Sequence, residues 1–324
     1  MSMKRTLAAL ATVALTGAVA APALAAEGKA KEYKELAWSW EGVFGGYDQA
    51  QLQRGYQVYR EVCASCHSMK LIAFRHLGER GAPYYLDACP EELGLPETTD
   101  CSDPAQNPYV KAIAADYQIT AGVDDSGDPL VRPGIPADYF PSPYANRQVA
   151  ILANGGAYPP DQSLIVKSRL KGANYIYSLL TGYPDEVPEV LNVPAGSYYN
   201  PYYQGDTLSM FKDEYLEEDH GEVHPIEDRV RAVTPSSLVT DGGLLYGGAF
   251  KMAAPLRDGT VTYEDGTPAT VEQQAADVVA YLQWASEPKL EERKVMGQFV
   301  ILYLFAFAGI LYASYRQIWR NVEH

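Results

Sequence analysis

The run Cys63-Ala64-Ser65-Cys66-His67 constrains this chain more than any other feature of its sequence. Two cysteines separated by two residues and followed at once by histidine form the attachment site of a c-type haem. The chemistry asks for that arrangement. On one helical turn two thiols reach the two vinyl groups of a porphyrin as thioethers, and the next residue sets an imidazole under the iron. With 4 Cys and 5 His in 324 residues, composition alone would produce the pattern in about one chain of a thousand. A redox dithiol of thioredoxin type would sit in a βαβ pattern, and a zinc half-site would need a second ligand pair at suitable spacing. The sequence offers neither.

The two ends place the motif outside a membrane. Residues 1–25 have the three parts of a secretory signal: basic Lys4 and Arg5, an apolar stretch over 7–19, and Ala23-Leu24-Ala25 as a small-residue cleavage site. Residues 295–315 (VMGQFVILYLFAFAGILYASY) are uncharged and long enough to cross a bilayer, with Arg316 and Arg320 just beyond. A chain exported by a cleaved signal and stopped by one apolar helix leaves its haem domain in the periplasm and its C-terminus in the cytoplasm. The 26 Lys+Arg stand against 41 Asp+Glu, a net charge of −15. That balance disfavours nucleic acid and anionic lipid and favours a basic partner.

Between the ends, Leu52, Tyr56, Tyr59, Val62 and Cys66 share one face of a helix predicted over 48–66, and Gly55 within it points to a close helix crossing. Trp38 and Trp40 belong to an N-terminal strap. Residues 81–150, with many Pro, Asp and Gly, read as a long ordered excursion holding short helical pieces such as 109–117. Cys89 and Cys101 lie within it, and in an oxidising compartment they are expected to form a disulfide. Residues 174–181 end a helix stopped by Gly182 and Pro184. An acidic insertion at about 205–245, centred on Asp213, Glu214, Glu217, Glu218 and Asp219, reads as a solvated surface feature. His220 and His224 are four apart, but Gly221 and Pro225 oppose the helix that would turn them to one metal. Thr270 opens the last soluble helix with a capping box in which Gln273 reaches back. Residues 289–294 form a polar linker to the membrane span.

A thioether sulfur on the far side of the iron would favour the reduced state and outer-sphere electron transfer, whereas an open position would suit a haem sensor or peroxidase. Met1 and Met3 leave with the signal, Met69 is too near His67, and Met296 is in the span. Met252 and Met210 are left, with His76 a third choice. Met252 has the better context, between the turn Gly247-Gly248-Ala249-Phe250 and the stiff Ala253-Ala254-Pro255-Leu256.

Together these pieces resemble cytochrome c1, the haem-bearing subunit of the cytochrome bc1 complex. The resemblance runs from about Trp38 to Trp319. Beyond the haem motif it rests on Asn154-Gly155-Gly156-Ala157-Tyr158-Pro159-Pro160-Asp161, on Ile165-Val166-Lys167-Ser168-Arg169, and on the stretch from Tyr175-Ile176-Tyr177 to Thr181-Gly182-Tyr183. Tyr198-Tyr199-Asn200, Asp265-Gly266-Thr267-Pro268 and Trp284-Ala285 add to it. It implies a mainly α, class I c-type cytochrome fold with long loop insertions and one C-terminal transmembrane helix. It implies one covalent haem c on Cys63 and Cys66, with cytochrome b and a Rieske iron–sulfur protein as companion subunits in a dimeric complex, and a soluble basic cytochrome c as electron acceptor. It places Pro160, Asp161, Arg169 and Tyr175 at the haem pocket, Arg169 near a propionate. The chain departs from the family at Gln162, at Ala254, and in the length of chain between Asn200 and Met252, which keeps Met210 in view. Another membrane-anchored carrier, such as an oxidase haem subunit, would share the local motifs but not the segments after residue 150. The expected organisation is a signal peptide over 1–25, a haem domain over 26–288, a linker over 289–294, a span over 295–315 and a tail over 316–324.

Overall fold

The computed structural model describes residues 29–216, 226–240 and 244–321. The signal segment, residues 217–219 of the acidic insertion, the pair His220 and His224, and residues 322–324 of the tail lie outside the described residues. In chain order the elements are α1 (Gln49–Glu61), α2 (Pro108–Ala115), β1 (Gln118–Val123), β2 (Pro129–Pro133), α3 (Arg147–Ala153), α4 (Gly172–Leu180), β3 (Tyr198–Asn200), α5 (Asp213–Leu216), α6 (Ile226–Val233), β4 (Gly248–Phe250), α7 (Val271–Ser286) and α8 (Leu290–Trp319). Helices dominate and the strands are short, the mainly α architecture the sequence implies.

The core is organised by the crossing of α1 and α7. Asp48 caps α1 by accepting from the Gln51 N–H at 2.8 Å, and Leu52, Tyr56, Val58 and Tyr59 bury one face. At Gly55 the helices all but touch: a Cβ there would stand 2.0 Å from the Asp277 carbonyl oxygen and 2.8 Å from Tyr281 Cβ. Only glycine permits this approach. Beside it, Arg54 bonds the fully buried Asp277 through Nε at 3.1 Å and Asp265 through Nη1 at 2.8 Å. Asp277 also accepts from Gln273 Nε2 at 2.9 Å, so this buried charge is fully engaged. Thr270 does cap α7, accepting from the Gln273 N–H at 3.2 Å. The Gln273 side chain, however, runs forward, its Nε2 donating to the buried Asp277 carboxylate, rather than back to accept from the Thr270 N–H, which donates to the Pro268 carbonyl instead.

The strap behaves as expected. Trp38 and Trp40 stack at 4.8 Å, both are buried, and Trp38 Nε1 donates to Asn174 Oδ1 on α4 at 2.7 Å. Cys89 and Cys101 are bonded to each other. The excursion over 81–150 holds α2, capped by Asn107, together with a hairpin that the sequence did not announce: β1 and β2 pair antiparallel, Ile119 opposite Arg132. The described residues of the acidic centre, Asp213 and Glu214, are exposed as expected, but the insertion also has an apolar side. Val190, Leu191, Tyr199, Met210, Phe211, Val230 and Leu245 form a second buried apolar cluster, so 205–245 contributes its own small core.

Residues 289–294 are not a linker. α8 starts at Leu290 and runs 30 residues, about 45 Å at 1.5 Å per residue. The charged stretch is helical because Glu291 and Glu292 suit a helix N-terminus, Leu290 is buried, and the joint with α7 is pinned. Arg293 bonds Glu287, Lys167 approaches Glu287 at 3.4 Å, and Lys289 reaches Glu79 at 3.0 Å. Past the joint, a window of α8 with mean hydropathy 2.0 is wholly uncovered.

Candidate functional site

α1 ends at Glu61, short of the helix predicted to reach Cys66. The chain then tightens into a 3₁₀ turn at Cys63–Ser65, in which the Cys63 carbonyl accepts from the N–H of Cys66 at 3.1 Å and of His67 at 2.9 Å. One carbonyl thus gathers both cysteines and the histidine. Cys63 and Cys66 are free thiols. Burial, and secondarily Cys66, push the Cys63 thiol up to about 12. A redox dithiol needs the reverse, a depressed value.

His67 has its ring fixed from one side. Its Nδ1 lies 2.8 Å from the Pro160 carbonyl oxygen. A carbonyl can only accept, so Nδ1 carries the proton and Nε2 is left with its lone pair. Burial lowers the ring's pKa, the hydrogen bond and Asp161 opposing, which favours the neutral imidazole that a metal requires. Pro160 is held by its neighbour. Asp161 accepts from Ser68 Oγ at 2.7 Å, from the Lys70 N–H at 3.0 Å and from the Ser163 N–H at 2.9 Å, while the Gln162 N–H donates to the Ser68 carbonyl. Burial pushes the Asp161 carboxyl up, but these hydrogen bonds outweigh it and hold it below the usual value. Its carboxylate thus staples the Pro159-Pro160 segment to the motif.

Arg169 is exposed, its Nη1 on the Ser168 carbonyl and hydroxyl, and it acts electrostatically on Tyr175 of α4. Tyr175 packs edge-on against Tyr33 at 5.3 Å. Met252 follows β4, whose pairing with β3 puts Tyr198 opposite Phe250 and Asn200 opposite Gly248. A Cβ on Gly247 would lie 2.2 Å from the Asn200 carbonyl, which explains a glycine at this bend with φ +91°. The Met252 carbonyl accepts from Tyr183 Oη at 2.9 Å, and its side chain is half-buried. Met210 lies elsewhere, in the second apolar cluster, with its carbonyl accepting from the Asn192 N–H. His76 is engaged too: Nδ1 accepts from the Ala73 N–H at 3.1 Å.

A cleft opens beside Cys66, bounded by Ser68, Lys70, residues 142–147, Ala150, Tyr158 and Pro159. Arg147 lies over the Tyr158 ring at 4.8 Å, and Tyr144 and Cys66 line the same cleft. Tyr144, in the loop before α3, and Arg147, its first residue, carry no signal in the sequence. Two free thiols, an imidazole with one nitrogen tied and the other available, and a cleft beside them fit a covalently attached haem.

Residues 38–322 match the model of the cytochrome C1 family. The chain is 40% identical over 316 residues to cytochrome c1 of Rhodospirillum rubrum, covering 98% of this chain and 97% of that one. It is 40% identical over 260 residues to the mitochondrial cytochrome b-c1 complex catalytic subunit of Candida albicans, covering 80% and 68%. A Bradyrhizobium diazoefficiens protein named cytochrome b/c1 is 38% identical over 302 residues, and this chain spans 35% of its length.

Proposed function

Because the chain belongs to the cytochrome C1 family, whose members carry one covalently bound haem c, we propose that it is the electron-carrying subunit of a cytochrome bc1 complex. In this reading it sits beside cytochrome b, takes electrons from a Rieske iron–sulfur protein and hands them to a soluble basic cytochrome c. It makes and breaks no bond of a substrate; the oxidoreductase activity belongs to the complex. The haem supplies a one-electron couple when bound, and the protein supplies position, potential and docking surface. Cys63 and Cys66 would hold the group covalently, and His67 would ligate its iron through Nε2. Met252, in preference to Met210, would supply a second ligand, and Arg169 would offer a charge-assisted partner to a propionate. The haem domain faces the periplasm, α8 crosses the membrane once and the tail enters the cytoplasm.

The observation that carries this reading is the His67–Pro160 hydrogen bond next to two free thiols. The match over nearly the whole chain favours it over an oxidase haem subunit. The test is carbon monoxide binding to the reduced holoprotein. Wild type should resist the gas, Met252→Ala should admit it and show a lower reduction potential, and Met210→Ala should lose stability while still resisting. Admission by Met210→Ala alone would reverse the ligand assignment, and rapid binding by wild type would point to a sensor or peroxidase.

A further inference from the structure

α8 begins among charges and turns apolar at Val295. Against that junction lies a loop over 41–47, Glu41-Gly42-Val43-Phe44-Gly45-Gly46-Tyr47, tied to the helix by hydrogen bonds. Lys294 Nζ donates to the carbonyls of Trp40 and Gly45, the second at 2.9 Å, and the Tyr47 N–H donates to Glu291 Oε1 at 2.7 Å. Gln298 Nε2, one turn further on, donates to the Val43 carbonyl at 3.3 Å. The loop is also closed on itself. The Gly46 N–H donates to the Ser39 carbonyl at 3.1 Å, and Gly45 has no room for a side chain, because a Cβ would lie 2.0 Å from the Glu41 carbonyl. Its backbone is fixed, yet its two apolar side chains stand outside the fold: Val43 is 62% exposed and Phe44 89%.

The level of this tip follows from the helix beside it. The apolar run 295–315 spans about 31 Å at 1.5 Å per residue, which matches a hydrocarbon core of about 30 Å and sets its outer edge near Val295. Gln298 then stands about 4.5 Å inside that edge. The Val43 carbonyl meets α8 at this depth, where the headgroup layer gives way to acyl chains. Between Glu41 and Asp48 the loop carries no charge, so immersing its tip desolvates no ion. An apolar wedge at this depth is how interfacial segments hold a membrane surface.

We infer that Val43 and Phe44 are inserted into the outer interfacial layer of the bilayer, giving the soluble domain a second point of membrane contact besides α8. The inference rests on α8 spanning the membrane. Its test is a spin label at Phe44→Cys in the assembled complex reconstituted into phosphatidylcholine nanodiscs with the haem reduced. Cys89 and Cys101 are bonded to each other, Cys63 and Cys66 would carry the haem of the proposed function, and label on the unsubstituted complex is subtracted as background. The ratio of collision with lipid-soluble oxygen to collision with a water-soluble nickel chelate should be several-fold higher than for Val123→Cys on the exposed β1–β2 hairpin. It should approach that for Phe305→Cys in mid-span. A Phe44 label as open to the chelate as the one at position 123 overturns the inference, and one shielded from both probes overturns it in favour of a protein neighbour. A Phe305 label open to the chelate would instead sink the membrane span, and this inference with it.

Discussion

Gly55→Ala tests the crossing on which the position of the haem motif depends. Alanine should gain about 1 kcal/mol of helix propensity over glycine. Against that gain, its Cβ would lie 2.0 Å from the Asp277 carbonyl, where ordinary contact begins at 3.4 Å. The helices must therefore part by about 1.4 Å, and the obstacle is backbone, which cannot rotate aside. Overpacking typically costs about 1–3 kcal/mol, and a rigid clash belongs at the upper end. The net loss is then about 2 kcal/mol, or roughly 4–8 °C in Tm for a domain of this size. Thermal melts of the holoprotein in detergent, followed by haem absorbance and far-ultraviolet circular dichroism, would measure it. Gly297→Ala on α8, where a Cβ meets nothing within 4 Å, is the control and should not lower the Tm. A Gly55→Ala protein melting at or above wild type would mean that propensity outweighs the crossing and that the packing argument is wrong.

Asp161→Asn should destabilise the segment that carries Pro160, by about 1.5–3 kcal/mol for a charge-assisted network, read as faster hydrogen exchange at Lys70 and Ser163. Because the native carboxyl lies below its usual value, the difference from wild type should be full above about pH 4 and vanish as the pH falls through the native Asp161 pKa. With a net charge of −15, electron exchange with a basic soluble cytochrome c should slow markedly as salt shortens the Debye length from about 10 to 3 Å. A rate flat across that range in stopped-flow would remove electrostatic docking from the account.

How much the sequence disclosed depends on how local the cause is. The motif turn, the Thr270 cap and the stop after α4 are written within a few residues and were readable. Gly55 was readable as well, since a glycine on an otherwise apolar helical face has few explanations. The β1–β2 hairpin was not: β1 alternates polar and apolar residues over Gln118–Ala121, but both strands are largely exposed, and β2, with Leu130 beside Val131 between two prolines, carries no such pattern. The second apolar cluster stayed hidden because its members come from segments tens of residues apart, with acidic residues between. Residues 289–294 looked like a linker because charge was read as solvation, while long-range partners at Glu79, Trp40 and Glu287 hold them helical. For Asp161 the segment was legible, while the direction of its carboxylate, toward Ser68 and Lys70, is a tertiary fact.

The short break between α7 and α8, bolted by Glu287 and braced by Lys294, makes a stiff mast of what could have been a flexible leash. A cargo carried on such a mast keeps one height and one heading above the bilayer. Whatever delivers or collects an electron has to do the travelling, and slack in the relay must be sought in the visitors' own hinges or diffusion.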